Sequence, residues 1–169
     1  MTGRQSFGRV VSARAQADPQ GIVVVSDHEG LSLTAAELDA RSNALAREYL
    51  SRGVTRDDLV TVALPNSIEF VVACVAVWKA GATPNPLSPS MSDRAHIDRL
   101  VRPALALGTE PGDPAVAWLP AGFATERADH PLPDAWAGSW KAPASSGSTG
   151  QPKVVLADAP ALMDPAQPV

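Results

Sequence analysis

The sequence predicts an α/β fold: a largely parallel sheet with helical layers, carrying an anion-binding type of loop between two strands. Three observations lead there. Helical and strand patterns alternate between Leu31 and Leu107, as a parallel sheet crossed by helices requires. Residues 70–80 read as a helix that is apolar nearly all round, so protein covers both its faces. A run of hydroxyl residues and glycines, ending in Pro152-Lys153, then sits between two short segments of strand type.

The elements follow in order. Residues 7–17 read as a first helix, with Phe7, Val10, Val11 and Arg14 near helical spacing, closed by Asp18-Pro19-Gln20-Gly21. Ile22-Val23-Val24-Val25 is a β-branched strand run, Asp27-His28-Glu29-Gly30 a hairpin turn and Leu31-Ser32-Leu33 the returning strand. Thr34 opens the clearest helix: its hydroxyl and the Glu37 carboxylate form a capping box, and Gly53 supplies the left-handed stop. Glu37–Arg41 and Glu48–Arg52 are i,i+4 pairs, and the arginines read as a solvated outer face. Residues 59–64 form a strand, Asn66 with Glu69 caps the apolar helix, and Gly81 ends it. An extended segment with Pro84 and Pro86 follows, then a short helix capped by Ser92, then a strand at residues 104–107. Most of the 16 prolines lie at or after Pro84, and residues 108–139 read as an irregular Pro/Ala-rich connection that Trp118, Trp136 and, just past its end, Trp140 anchor to the core.

Composition narrows the function. A length of 169 residues suits one domain with a sizeable core, and 45% hydrophobic against 19% charged residues is a globular balance. A net charge of −4 without a basic run argues against nucleic acid as a partner. The longest apolar run is Phe70 to Trp78, whereas a membrane span needs roughly 20 residues. No signal-peptide core is visible, and a soluble cytoplasmic protein is the expectation. Cys74 reads as a buried, inert thiol. His28, His96 and His130 lack metal-ligand spacing, and no hydrolase elbow is present.

The loop Ser145-Ser146-Gly147-Ser148-Thr149-Gly150-Gln151-Pro152-Lys153 carries the chemistry. Its glycines let backbone N–H groups approach a ligand closely, its hydroxyls donate hydrogen bonds, and Lys153 adds a mobile cation. Such a set suits a nucleotide polyphosphate. It is not a Walker loop, because the lysine follows the second glycine by three positions and no helix pattern comes next.

At these residues the chain resembles the adenylate-forming superfamily of acyl-CoA synthetases, peptide-synthetase adenylation domains and luciferases. The family loop reads Ser/Thr-Ser/Thr-Gly-Ser/Thr-Thr-Gly-x-Pro-Lys, matched from Ser145 to Lys153; Val154 departs from the usual glycine. Leu33-Thr34-Ala35-Ala36-Glu37-Leu38, Lys79-Ala80-Gly81-Ala82 and Pro84-Asn85-Pro86-Leu87 are similar to further family segments, and Trp140-Lys141-Ala142-Pro143 resembles the branch of bile-acid and related CoA ligases.

The resemblance implies that ATP and a small carboxylic acid give an acyl-adenylate, which a thiol such as coenzyme A then takes over. Ser145, Ser146, Gly147, Ser148, Thr149, Gly150 and Lys153 are the implied ATP phosphate-binding residues, with Mg²⁺ bridging the phosphates and no catalytic or metal-ligating residue in this chain. A homodimer is compatible with it. The family's Tyr-Gly-x-Thr-Glu motif and terminal lysine motif are not found: the only tyrosine is Tyr49 and the only lysines are Lys79, Lys141 and Lys153. Residues 1–169 are therefore expected to be a partial N-terminal domain, inactive alone, with the phosphate loop at 145–153 and a disordered or truncated end at 158–169. Two alternatives stay open: a fragment of a peptide-synthetase adenylation domain, and a non-enzymatic remnant or binding module.

Overall fold

A computed structural model describes residues 3–91, 93–145 and 152–164. Its centre is a four-stranded parallel sheet. Strand β1 (Gln5–Ser6) enters helix α1 (Phe7–Ala17), where the Ser6 hydroxyl accepts from the Arg9 N–H at 3.0 Å. Strands β2 (Ile22–Ser26) and β3 (Leu31–Thr34) form the expected antiparallel hairpin. Helix α2 (Ala35–Ser51) starts with both halves of the capping box in place, the Glu37 carboxylate accepting from the Thr34 N–H at 2.8 Å.

Strand β4 (Leu59–Val62), helix α3 (Ile68–Lys79), strand β5 (Thr83–Pro86), helix α4 (Arg94–Val101) and strand β6 (Leu105–Gly108) then alternate as the sequence pattern requires. Strand β7 (Trp118–Pro120) completes the sheet in the order β5-β4-β6-β7, all pairs parallel. From β4 to β5 the chain moves one way across the sheet, and from β5 to β6 it moves back. Right-handed crossovers therefore put α3 and α4 on opposite faces. Side-chain alternation agrees: Val60 and Val62 pack in the cluster with Ala73 and Val77 of α3, while Ala63 packs with Ile97 and Val101 of α4.

Two glycines are dictated by close approach. At Gly108, φ is +93° and a Cβ would lie 2.4 Å from the Ala63 carbonyl oxygen. At Gly8, a Cβ would lie 2.8 Å from the Lys79 side chain, where α1 crosses α3. That crossing holds a buried polar knot. The Lys79 ammonium donates to the Asp39 carboxylate at 2.7 Å and to the Asn43 side-chain carbonyl at 2.7 Å, while the Ser12 hydroxyl donates to Asp39. Burial pulls the Lys79 pKa down, opposed by the Asp39 carboxylate.

Several expectations change in detail. Ser67, not Asn66, caps α3: its extended backbone lets the hydroxyl accept from the Phe70 N–H at 3.1 Å, and Glu69 instead accepts from the Gly122 N–H at 2.6 Å. The connection at 108–139 contains β7, a three-residue edge strand closed by Pro120. The arginine face of α2 is not solvated along its C-terminal half, because this connection folds back on it. Arg47 donates to the carbonyls of Ala128 at 2.9 Å and His130 at 2.6 Å, and Arg127 meets Glu48 at 3.0 Å beside the expected Arg52–Glu48 pair at 2.8 Å. Of the tryptophans, Trp140 docks against Phe7, Trp118 belongs to β7, and Trp136 lies under the Arg56 guanidinium. Cys74 is buried, and burial pushes its thiol up to about 12. Asp93 precedes α4 without a side-chain cap bond, and Ser92 lies outside the described residues. No helix among the described residues is long and apolar enough to cross a membrane.

Candidate phosphate-loop hairpin

Strands β8 (Ala144–Ser145) and β9 (Lys153–Val154) pair antiparallel, with Ala144 opposite Val154 and Ser145 opposite Lys153. The two strands that the sequence places on either side of the loop are therefore found paired, and residues 146–151 between them lie outside the described residues. Further bonds lengthen the hairpin: the N–H groups of Val155, Ala157 and Trp140 donate to the carbonyls of Pro143, Lys141 and Ala159, each at 3.0 Å. Beyond it, β10 (Leu162–Met163) pairs with β1, and Ala161 is buried, so residues 158–164 are tied to the N-terminus of α1.

The hairpin leans on two supports. Ala144 and Val154 pack against the cluster of Leu87, Ile97 and Val101, which fixes it to α4. Residues 139–142 run along the outer edge of β5. There Thr83 donates to the Ser139 carbonyl at 2.8 Å and the Ala142 N–H donates to the Pro84 carbonyl at 2.9 Å. Pro84 and Pro86 have no N–H, so this edge offers carbonyls to one covering segment and resists further pairing. Asn85, fully buried, ties the arrangement together: it accepts from the Thr61 hydroxyl of β4 at 3.1 Å and donates to the Ala142 carbonyl. The sequence signal for this role is a polar residue between two prolines in a strand of a covered sheet.

Residues 139–142 ascend in the same direction as β5, and Ala144 packs beside Leu87, so β8 lies at the carboxyl end of that strand. Open α/β sheets bind ligands in the crevice outside the carboxyl ends of their strands. Of the candidate site residues, Ser145 ends β8 and Lys153 begins β9 with its residue exposed. Ser146, Gly147, Ser148, Thr149 and Gly150 lie outside the described residues. Among the described residues no group of His, Cys, Asp or Glu side chains could hold a metal ion. His28 bonds Ser26, and His130 bonds Arg47.

Comparison with known proteins agrees with this architecture. The model of the AMP-binding enzyme family matches residues 11–127, and the chain belongs to that family. The matched span ends before the hairpin. Malpinin synthetase of Mortierella alpina is 35% identical over 159 residues, covering 86% of this chain and 2% of its own length. Isonitrile lipopeptide synthase of Streptomyces coeruleorubidus is 36% identical over 175 residues, covering 90% of this chain and 11% of its own length. This chain thus spans a small part of such relatives. Among solved structures, the nonribosomal peptide synthetase FmoA3 superposes with a TM-score of 0.79 at 22% identity, over 92% of this chain and 17% of that one. A fatty acyl CoA synthetase of Mycobacterium tuberculosis gives 0.75 at 18% identity, over 90% of this chain and 34% of that one. At such identities the two structures establish the shared fold.

Proposed function

We propose that this chain supplies the ATP phosphate-binding part of an amino-acid-adenylating enzyme of the peptide-synthetase type. The observation that carries the reading is the anchored pair of strands: β8 and β9 lie beside Leu87 at the carboxyl end of β5, and the sequence joining them is rich in small hydroxyl residues, with Lys153 at its exit. In the reaction, a substrate carboxylate oxygen attacks the α-phosphorus of ATP. The bond to the β-phosphate bridging oxygen breaks, and pyrophosphate leaves with that electron pair. Ser145, Ser146, Ser148 and Thr149 would donate hydrogen bonds to the departing β- and γ-phosphate oxygens, and Gly147 and Gly150 would let the backbone approach them. Lys153 would hold the charge that builds on pyrophosphate. Mg²⁺, when bound, would neutralise phosphate charge, and no cluster of carboxylates among the described residues is available to hold it.

The names of the curated relatives, peptide and lipopeptide synthetases, favour an amino acid as the carboxylate and a carrier-bound thiol as the acceptor. A CoA ligase acting on another carboxylic acid is the second reading, favoured by Trp140-Lys141-Ala142-Pro143. The test is ATP–pyrophosphate exchange by the protein in its native reading frame, with pooled amino acids and, separately, pooled fatty and aryl acids. Amino-acid-dependent exchange, lost in Lys153→Ala, supports the proposal. Exchange with fatty or aryl acids alone moves it to the second reading. Absence of exchange together with absence of ATP binding makes the chain a non-enzymatic relic.

A further inference from the structure

A cavity of about 700 Å³ lies across the sheet from the phosphate-loop hairpin. Its floor includes Leu107 and Leu119 from β6 and β7, its walls Ala44 and Tyr49 of α2 and Val72 of α3, and its roof Phe123. These residues share the α3 side of the sheet, whereas the hairpin packs on α4. The volume and apolar lining suit a small organic ligand.

Two polar groups give the chamber a chemistry. Tyr49 is 2% exposed, yet its hydroxyl makes no hydrogen bond among the described residues. A buried phenol ordinarily finds a partner, and an unmade bond is unfavourable. Burial first, then the neighbouring Cys74 and Glu69, raises its pKa, so the group stays a neutral O–H. Glu69 also lines the chamber, and one of its carboxylate oxygens takes the Gly122 N–H at 2.6 Å. Its second oxygen has no partner among the described residues. The charged side chains of the lining are balanced in sign, Arg41 and Arg127 against Glu69 and Asp129. A ligand with a net charge would find no counter-ion in excess.

The geometry points to a second ligand site, which we propose takes an uncharged, apolar molecule bearing one hydroxyl group. That hydroxyl accepts from Tyr49 and donates to Glu69, while the apolar body fills the space between α2, α3 and the 121–129 segment. The site is independent of the phosphate hairpin, so it stands or falls separately from the adenylation reading.

Methyl-resolved NMR on the full chain tests it, with Leu45, Leu107 and Leu119 as reporters. The probes are 4-phenylphenol and its isostere 4-fluorobiphenyl. The phenol is expected to shift the reporter methyls and to bind about 5- to 10-fold more tightly, the range one added hydrogen bond provides. Tyr49→Phe reduces that preference, since only the bond to Glu69 remains, and leaves binding of 4-fluorobiphenyl in place. Glu69→Gln, on a half-buried residue, reduces the preference without touching the phenol. Ala44→Phe occupies the chamber and weakens both probes together. Equal binding of the two probes by the unaltered chain, a preference undiminished by Tyr49→Phe, or shifts confined to methyls outside the chamber would each overturn the proposal.

Discussion

Asn85→Ala probes the link between the sheet and the phosphate-loop hairpin. Asn85 is fully buried and serves two partners, accepting from the Thr61 hydroxyl at 3.1 Å and donating to the Ala142 carbonyl. Alanine removes both bonds at once and leaves a hydroxyl and a carbonyl facing each other across a gap. A buried polar group without a partner costs about 1–3 kcal/mol, so the pair together is expected to cost about 2–6 kcal/mol. Against a typical domain stability of about 5–15 kcal/mol, that is a large share. Urea unfolding should show a lower midpoint at unchanged slope. Hydrogen exchange should localise the damage: the Val155 and Ala157 amides, bonded to Pro143 and Lys141 at 3.0 Å, should lose protection before the α3 amides do. Thr61→Val is the internal control, since it spares the bond to Ala142 and should leave hairpin protection intact. A loss below about 1 kcal/mol in Asn85→Ala, with protection at Val155 and Ala157 unchanged, would refute the anchoring argument.

Three further outcomes follow from particular contacts. Gly108→Ala should destabilise by more than about 1 kcal/mol in thermal unfolding, since alanine meets both a left-handed backbone and the Ala63 carbonyl. Lys79→Met should cost about 3–5 kcal/mol, because it leaves the Asp39 carboxylate in the α1–α2–α3 knot without its cation. The third concerns Glu48, whose pKa is lowered from 4.5, chiefly by the hydrogen bond from Arg127, with Arg52 assisting. A depressed carboxylate stabilises the folded state above its unfolded pKa, and that contribution disappears as pH falls through the folded value. Glu48→Gln should therefore loosen the 121–131 segment at pH 7, and the difference from the unaltered chain should vanish in acid below pH 4.5, read by exchange at amides 121–131.

The parts of the fold that local pattern governs were legible in the sequence. The Thr34–Glu37 box, the Gly53 and Gly81 stops and the apolar run of α3 each declare themselves within a few residues, and the structure places the element boundaries close to them. What escaped depends on distant partners. Glu69 reads as a capping carboxylate until Gly122 arrives 53 positions later to claim it. Arg47 reads as solvated until the carbonyls of residues 128–131 settle on it. Strand β7 was hidden because three residues ending in proline carry no periodicity, and only pairing with β6 makes them a strand. The hairpin that carries the candidate site was visible from its loop chemistry, whereas Asn85, which braces it, became apparent only when β4 and residue 142 came together. The Tyr49 chamber left no trace in the sequence, since its lining is drawn from α2, α3, two strands and a loop.

The central claim is that residues 145–153 form a polyphosphate site. Its most direct measurement is a backbone amide NMR titration of the chain with magnesium pyrophosphate, repeated on Lys153→Ala. The expected shifts are concentrated at the amides of residues 144–154, saturate with pyrophosphate and are greatly weakened by the substitution. Shifts spread over the surface, or confined to other elements, or unchanged in Lys153→Ala, would contradict it.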